Sequence, residues 1–209
     1  MNNIMYPFGP PVYLSKVDDE IIQELDVRIE ETGGKPEFDA SGQLAGRIKK
    51  QTHIDEVIST KVRDHILNHC KSFYEQTSQD EIPLTAMVLD SIWSNIQEAR
   101  EFNPPHQHTG NFSFVIYTRN DLENITEQEL QNNEYDSRIT DYQNQRPLGG
   151  LIELLYGESN WMNWTSFCHL PKRGDILIFP SWLRHTVYAH YESGKIRTVS
   201  YTHLTLPTT

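Results

Sequence analysis

After Pro83 the spacing of apolar residues changes from helical to alternating, and this switch limits the fold more than any other feature of the chain. Before it, Ile22, Leu25 and Ile29 share one helical face, and so do Ile54, Val57, Ile58, Val62, Ile66 and Phe73. Ser15 or Asp18 can cap the first helix and Gly33-Gly34 ends it, while the second is predicted over 54–74. Pro10 to Leu14 looks extended and Asp39 to Gly46 is turn-rich. Beyond Pro83, Leu84 to Asn95 alternates around Ala86, Val88 and Trp93. Further strands are predicted at 112–117, 151–156, 165–170, 175–179, 185–190 and from Ile196 onward. Short strands parted by Gly and Pro turns make a sandwich or barrel, so the chain reads as mainly β with N-terminal helices. We expect one domain over 1–198, with a helical part over 1–80 and a β core over 81–198.

A chain of 209 residues suffices for one such core. Its 18 basic against 29 acidic residues leave a net charge of −11, which repels phosphate backbones and argues against a nucleic-acid partner. Cys70 and Cys168 are isolated thiols with no zinc-type spacing, as expected in a reducing compartment. No signal-peptide pattern or membrane-length apolar run is visible, so the expectation is a soluble, cytoplasmic protein, in the host cell if viral. Oligomeric state is open. His65 and His69 lie four apart on the second helix; without a third ligand nearby, they read as surface or packing residues. The polar stretch from Arg119 to Pro147 interrupts the β pattern, as either a lid or a surface loop.

Chemistry concentrates in two places. His106-Gln107-His108 precedes an alternating run, and two imidazoles two apart at a strand end point the same way. His185 follows the turn after Gly174-Asp175-Ile176-Leu177-Ile178-Phe179-Pro180, and Arg197 follows twelve residues later. Three imidazoles from His106, His108 and His185 can hold one face of a metal and leave the opposite positions open. Zinc accepts the same ligands. Arg197 argues for iron, because its guanidinium fork suits the far end of a dicarboxylate whose 2-oxo acid end can chelate the metal. Oxidative decarboxylation of that co-substrate gives succinate and hydroxylates a substrate C–H bond.

Taken together, Trp93-Ser94-Asn95, His106-Gln107-His108 leading to Tyr117, Pro171-Lys172-Arg173-Gly174-Asp175 leading to His185, and Arg197 resemble the 2-oxoglutarate/iron(II) oxygenase superfamily. The likeness is strongest to prolyl-hydroxylase-like proteins common in marine bacteriophages and bacteria, a branch that Leu44-Ala45-Gly46 also resembles. It covers most of 7–198 and implies a double-stranded β-helix, or jelly-roll barrel. It further implies Fe(II) and 2-oxoglutarate, with ascorbate as an accessory reductant. His106 and His185 would be iron ligands, and Arg197 would bind the far carboxylate.

The superfamily usually has Asp or Glu two residues after the first His, where this chain has His108. Either iron sits among three histidines or His108 stands behind another ligand. Tyr117 and Asn95 are candidates for holding the co-substrate, with packing or sheet hydrogen bonding as the alternative. Trp182 is read as a pocket wall or a core residue, and Trp161 and Trp164 as substrate contacts or barrel-end covers. The substrate is expected to be a prolyl or other side chain of a protein or peptide, or else a small molecule. A cupin-type metal protein and a non-catalytic jelly-roll binding module are the competing readings. Against the first, no Glu stands between Thr109 and Tyr117; against the second stands the intact set of three His and one Arg.

The end of the chain is unusual. Val199-Ser200-Tyr201-Thr202-His203-Leu204 matches the translation of GTC TCT TAT ACA CAT CTG, part of a transposase adapter used in sequencing libraries. We therefore expect 199–209 to be an adapter artefact, with the natural frame lost at about Thr198. The alternative is a natural strand, since Val-Ser-Tyr-Thr favours that conformation.

Overall fold

A computed structural model describes residues 3–7, 9–42, 46–123, 149–158 and 165–206. The described chain runs through β1 (Ile4–Met5), β2 (Val12–Lys16), α1 (Asp19–Thr32), β3 (Lys50–His53), α2 (Thr60–Ser78), β4 (Val88–Gln97) and β5 (Asn103–His106). It continues with β6 (Phe112–Asn120), β7 (Ile152–Leu155), β8 (Ser166–His169), β9 (Asp175–Pro180), β10 (Arg184–Val187) and β11 (Arg197–Thr205). Seven strands form one sheet in the order β1-β2-β9-β6-β11-β4-β3, and four form a second in the order β5-β10-β7-β8. Neighbours pair antiparallel throughout.

Period two assigns the strand residues of the large sheet to its two faces. Phe114 and Ile116 of β6, Ile176 and Ile178 of β9, and Ile92 of β4 pack with Ile22, Leu25, Val62, Ile66 and Phe73 of the helices. Their alternates Val115, Tyr117, Leu177, Phe179 and Trp93 join Val199 and Tyr201 of β11 and meet Ile152, Leu154 and Val187 of the small sheet. Strand β9 is covered on both sides, which is why every residue of Asp-Ile-Leu-Ile-Phe-Pro is buried. Asp175 at its start is itself buried. Burial alone pushes its carboxyl up, yet bonds from His169, Lys16 and the Lys172 N–H hold it below the usual range. The result is a mixed α/β fold whose multi-stranded sheet resembles that of the double-stranded β-helix family.

Several boundaries differ from the sequence expectation. Helix α2 starts at Thr60 rather than Ile54, because Ser59 caps it by accepting from the Val62 N–H. Ile54 to Ile58 form a turn instead, closed by bonds from Val57 and Ile58 N–H to the Ile54 carbonyl. Those isoleucines stay buried, so the apolar signal reported packing rather than helix. Leu84–Ala86 is a 3-10 turn, and β4 begins at Val88. Strand β3 had no sequence signal: Lys-Gln-Thr-His has no apolar alternation, as suits an edge strand. The adapter-like run lies within β11, between β4 and β6, with Val199, Ser200, Tyr201 and Leu204 buried. Leu44, Ala45, Trp161, Trp164 and nearly all of the 119–147 insert lie outside the described residues. None of the described helices is long and apolar enough to cross a membrane.

Candidate metal centre

His106 ends β5 and His185 sits in β10, and these two residues are direct cross-strand partners in the small sheet. Pairing brings their ring centroids to 4.2 Å. His108 arrives by another route. It lies past the end of β5, so period two along a strand does not place it, contrary to the sequence expectation. The loop is instead stitched to the turn before β10: His108 N–H donates to the Ser181 carbonyl at 2.9 Å, and Ser181 N–H donates to the Asn111 carbonyl at 3.0 Å. The hydroxyls of Ser113 and Ser181 meet at 3.0 Å below them. His108 thereby comes within 4.9 Å of the His106 ring and 5.0 Å of the His185 ring. One ligand nitrogen from each of the three lies within 4.8 Å of the others.

Ring orientation follows from the backbone. His106 Nδ1 lies 2.7 Å from the Pro104 carbonyl and His185 Nδ1 lies 3.1 Å from the Leu183 carbonyl, each two residues upstream. A carbonyl only accepts, so Nδ1 carries the proton and Nε2 keeps its lone pair. Burial lowers the His106 pKa, against a smaller upward pull from Pro104, and so favours the neutral ring that a metal needs. Phe179 packs edge-on to His185 at 4.9 Å, and Trp93 lies 6.1 Å from His108. Three converging imidazoles, two of them fixed by backbone carbonyls, with apolar walls fit a borderline divalent metal.

Arg197 opens β11 and is fully buried. It faces Gln97 of β4 and Asn120 of β6 across the ladders. Its Nη1 donates to the Gly150 carbonyl at 2.9 Å, and its guanidinium stands 5.5 Å from the Tyr117 ring centre. Among the described residues no carboxylate lies within salt-bridge distance of it, and its Nε and the Tyr117 hydroxyl lack hydrogen-bond partners. Burial raises the Tyr117 pKa, with Arg197 opposing, so the phenol stays protonated and can donate. A buried guanidinium without an anion costs several kcal/mol, which a bound carboxylate would offset. One residue of β6, Thr118, is skipped between Thr198 and Val199, and this bulge locally re-aims the strand beside Arg197.

The other expected residues divide. Asn95 is buried on the same inner face, but its Oδ1 accepts from Gln51 Nε2 at 3.2 Å, so part of its polar capacity serves the sheet. Trp182 is neither core nor a closed wall: it is 52% exposed, with its ring 6.0 Å from Tyr156. Two further residues, Gln97 and His190, stand near Arg197. Gln97 Nε2 ties the Glu101 carbonyl to the Tyr188 carbonyl beside Arg197. His190 is 1% exposed, and its pKa is lowered by burial, with a further contribution from Arg197. Neither residue has a motif; only the register opposite Arg197 could have pointed to Gln97. A cavity of about 510 Å³ among the described residues contains none of these groups. It lies between the end of α1 and β3, lined by Lys35, Lys49, Lys50 and Asp39.

Solved structures of similar fold are distant in sequence. A 2OG-Fe(II) oxygenase family oxidoreductase from Burkholderia pseudomallei superposes with a TM-score of 0.55 at 10% identity, over 93% of this chain and 85% of that one. A prolyl-4-hydroxylase from Pseudomonas putida gives 0.54 at 9%, over 92% and 91%. A Trichoplax adhaerens prolyl hydroxylase, solved with a hypoxia inducible factor oxygen degradation domain peptide, gives 0.53 at 12%, over 91% and 82%. No curated relative matches the chain in sequence. The family model described as "Putative 2OG-Fe(II) oxygenase" does match, over residues 91–202, a span that runs from β4 through all three histidines to β11, and the chain belongs to that family.

Proposed function

We propose that the protein is an iron(II)- and 2-oxoglutarate-dependent dioxygenase that hydroxylates a prolyl or other side chain of a peptide, with a small molecule as the second class of substrate. The observation that carries this reading is the convergence of His106, His108 and His185 nitrogens within 4.8 Å, two of them with Nδ1 held by a carbonyl. His106, His108 and His185 hold the metal. Arg197 takes the far carboxylate of 2-oxoglutarate, the Tyr117 hydroxyl donates to it, and Asn95 borders the same pocket. Iron with 2-oxoglutarate supplies oxidative decarboxylation to succinate coupled to hydroxylation of a C–H bond.

The protein's share is positioning and exclusion. Carbonyl bonds to His106 and His185 fix the ligand nitrogens before metal arrives, so little reorganisation accompanies binding. Phe179, Leu154 and Leu183 keep water from the inner side, and Arg197 sets the direction in which the co-substrate lies. Three neutral imidazoles leave the metal one charge more positive than a set with a carboxylate, which favours anionic ligands. In this reading the two sheets close as a jelly-roll barrel over 81–198, and 199–209 derive from the adapter; sequencing the source DNA past codon 198 checks the latter.

The test is anaerobic titration with iron(II) and then 2-oxoglutarate, followed by the visible absorption of the chelate, with succinate release measured in air. His185→Ala is expected to abolish the absorption and lower succinate formation by at least about a thousandfold, the scale on which loss of an essential catalytic group acts. Metal binding with no chelate absorption and no succinate would instead favour the cupin-type reading.

A further inference from the structure

Helix α2 carries a second pair of imidazoles on the opposite side of the large sheet from the candidate centre. His65 and His69 lie one turn apart on one face, with ring centroids 5.0 Å apart and Nε2 atoms 3.2 Å apart. Two imidazole nitrogens on one edge of a tetrahedral zinc site, each about 2.05 Å from the metal, are about 3.3 Å apart. The remaining nitrogens are also engaged. His69 Nδ1 lies 2.9 Å from the Tyr13 hydroxyl, and His65 Nδ1 lies 3.7 Å from the Asp18 carboxylate. A carboxylate or hydroxyl behind each ligand histidine is the outer shell that orients metal-binding imidazoles. We propose that His65 and His69 form an accessory binding site for a borderline divalent cation such as Zn2+, Ni2+ or Cu2+, clipped onto α2 and oriented by Tyr13 of β2 and Asp18.

Without metal the group forms a satisfied chain: Tyr13 O–H donates to His69 Nδ1, His69 Nε2–H donates to His65 Nε2, and His65 Nδ1–H faces Asp18. Metal binding needs both Nε2 lone pairs. The His69 proton therefore moves to Nδ1 and the Tyr13 hydroxyl turns to accept it, with no net proton released from a neutral pair. Both rings are only part-buried, so water can complete the coordination. The pair offers no oxygen ligand, which disfavours Mg2+ and Ca2+.

The site is independent of the proposed catalytic centre and is tested apart from it. Calorimetric titration of tag-free protein with Ni2+ is expected to show two equivalents in the wild type. One equivalent should remain in His65→Ala, one in the double variant H106A/H185A, and none when all three changes are combined. Tyr13→Phe should weaken the H106A/H185A equivalent about tenfold or more, the scale of outer-shell losses. Wild type and His65→Ala binding the same number of equivalents equally tightly would overturn the site, as would H106A/H185A binding none. A single wild-type equivalent abolished by His65→Ala would support this site and count against the catalytic centre. His65 is part-exposed on a helix whose core face it does not share, and circular dichroism of each variant confirms that fold is retained.

Discussion

The two faces of the large sheet are drawn from the same strands, one residue in two, yet they are built differently. Toward the helices the layer is mostly apolar, closed by Phe73 edge-on to Phe112 at 4.9 Å; its buried polar groups are uncharged hydroxyls, of which Thr52 and Ser94 bond each other at 2.8 Å while those of Thr118 and Ser200 lack a partner among the described residues. Toward the small sheet the apolar set is similar, but Asn95, Gln97, Tyr117 and Arg197 are buried within or beside it. Polar groups left unpaired in a low-dielectric interior cost about 1–3 kcal/mol each, and a charge costs more. Two faces that share every strand share the same sheet twist and register, so backbone geometry cannot explain the contrast. The helix-facing layer holds the fold together; the inner layer gives up stability where a ligand can return it.

That contrast predicts opposite outcomes for substitutions on the two sides. Phe73→Ala, 1% exposed, should cost about 3–5 kcal/mol in urea unfolding, while the folded protein binds metal and 2-oxoglutarate as before. Arg197→Met should do the reverse. Removing a buried charge that has no carboxylate partner among the described residues leaves stability unchanged or raises it, whereas 2-oxoglutarate affinity falls about 10- to 100-fold with loss of its charged hydrogen bonds. Calorimetric 2-oxoglutarate titration beside urea melts separates the two effects. An Arg197→Met variant as destabilised as Phe73→Ala would show that the inner face is ordinary core, and the comparison would fail. A smaller effect is expected for Tyr117→Phe, which removes one donor and keeps the ring under Arg197; its 2-oxoglutarate affinity should drop about tenfold at most.

How much of this was legible in the sequence depended on whether a residue's role was local. Gly174-Asp175 through Phe179 announced β9 because a strand covered on both faces must be apolar throughout. His106, His185 and Arg197 could be picked out in order along the chain, but their meeting depends on the β5–β10 register and on a bond from Arg197 across to Gly150, neither of which has a local signal. His108 follows His106 by two, a spacing that strand alternation would align, but it reaches the other rings through the Ser181 turn. Strand β3 and Gln97 were invisible for the same cause: edge pairing and register opposite Arg197 leave no trace in composition.

The weakest test of the comparison concerns His69, a titratable ring beside Tyr13 on the helix-facing side. His69 has its pKa lowered from 6.5 to about 4, mainly by burial and secondarily by His65, with Asp18 opposing. Below pH 6.5 the unfolded chain takes up a proton at this position that the folded chain refuses. Stability is therefore lost as pH falls from about 6.5 toward 4, at no more than about 1.4 kcal/mol per pH unit, and less because the ring is part-exposed. Above pH 6.5 both states are neutral there and the contribution is flat. With chelator present, to keep the α2 pair free of metal, the urea midpoint of the wild type should decline across this window more steeply than that of His69→Gln. Parallel curves for the two proteins would mean that His69 is not held neutral beside Tyr13.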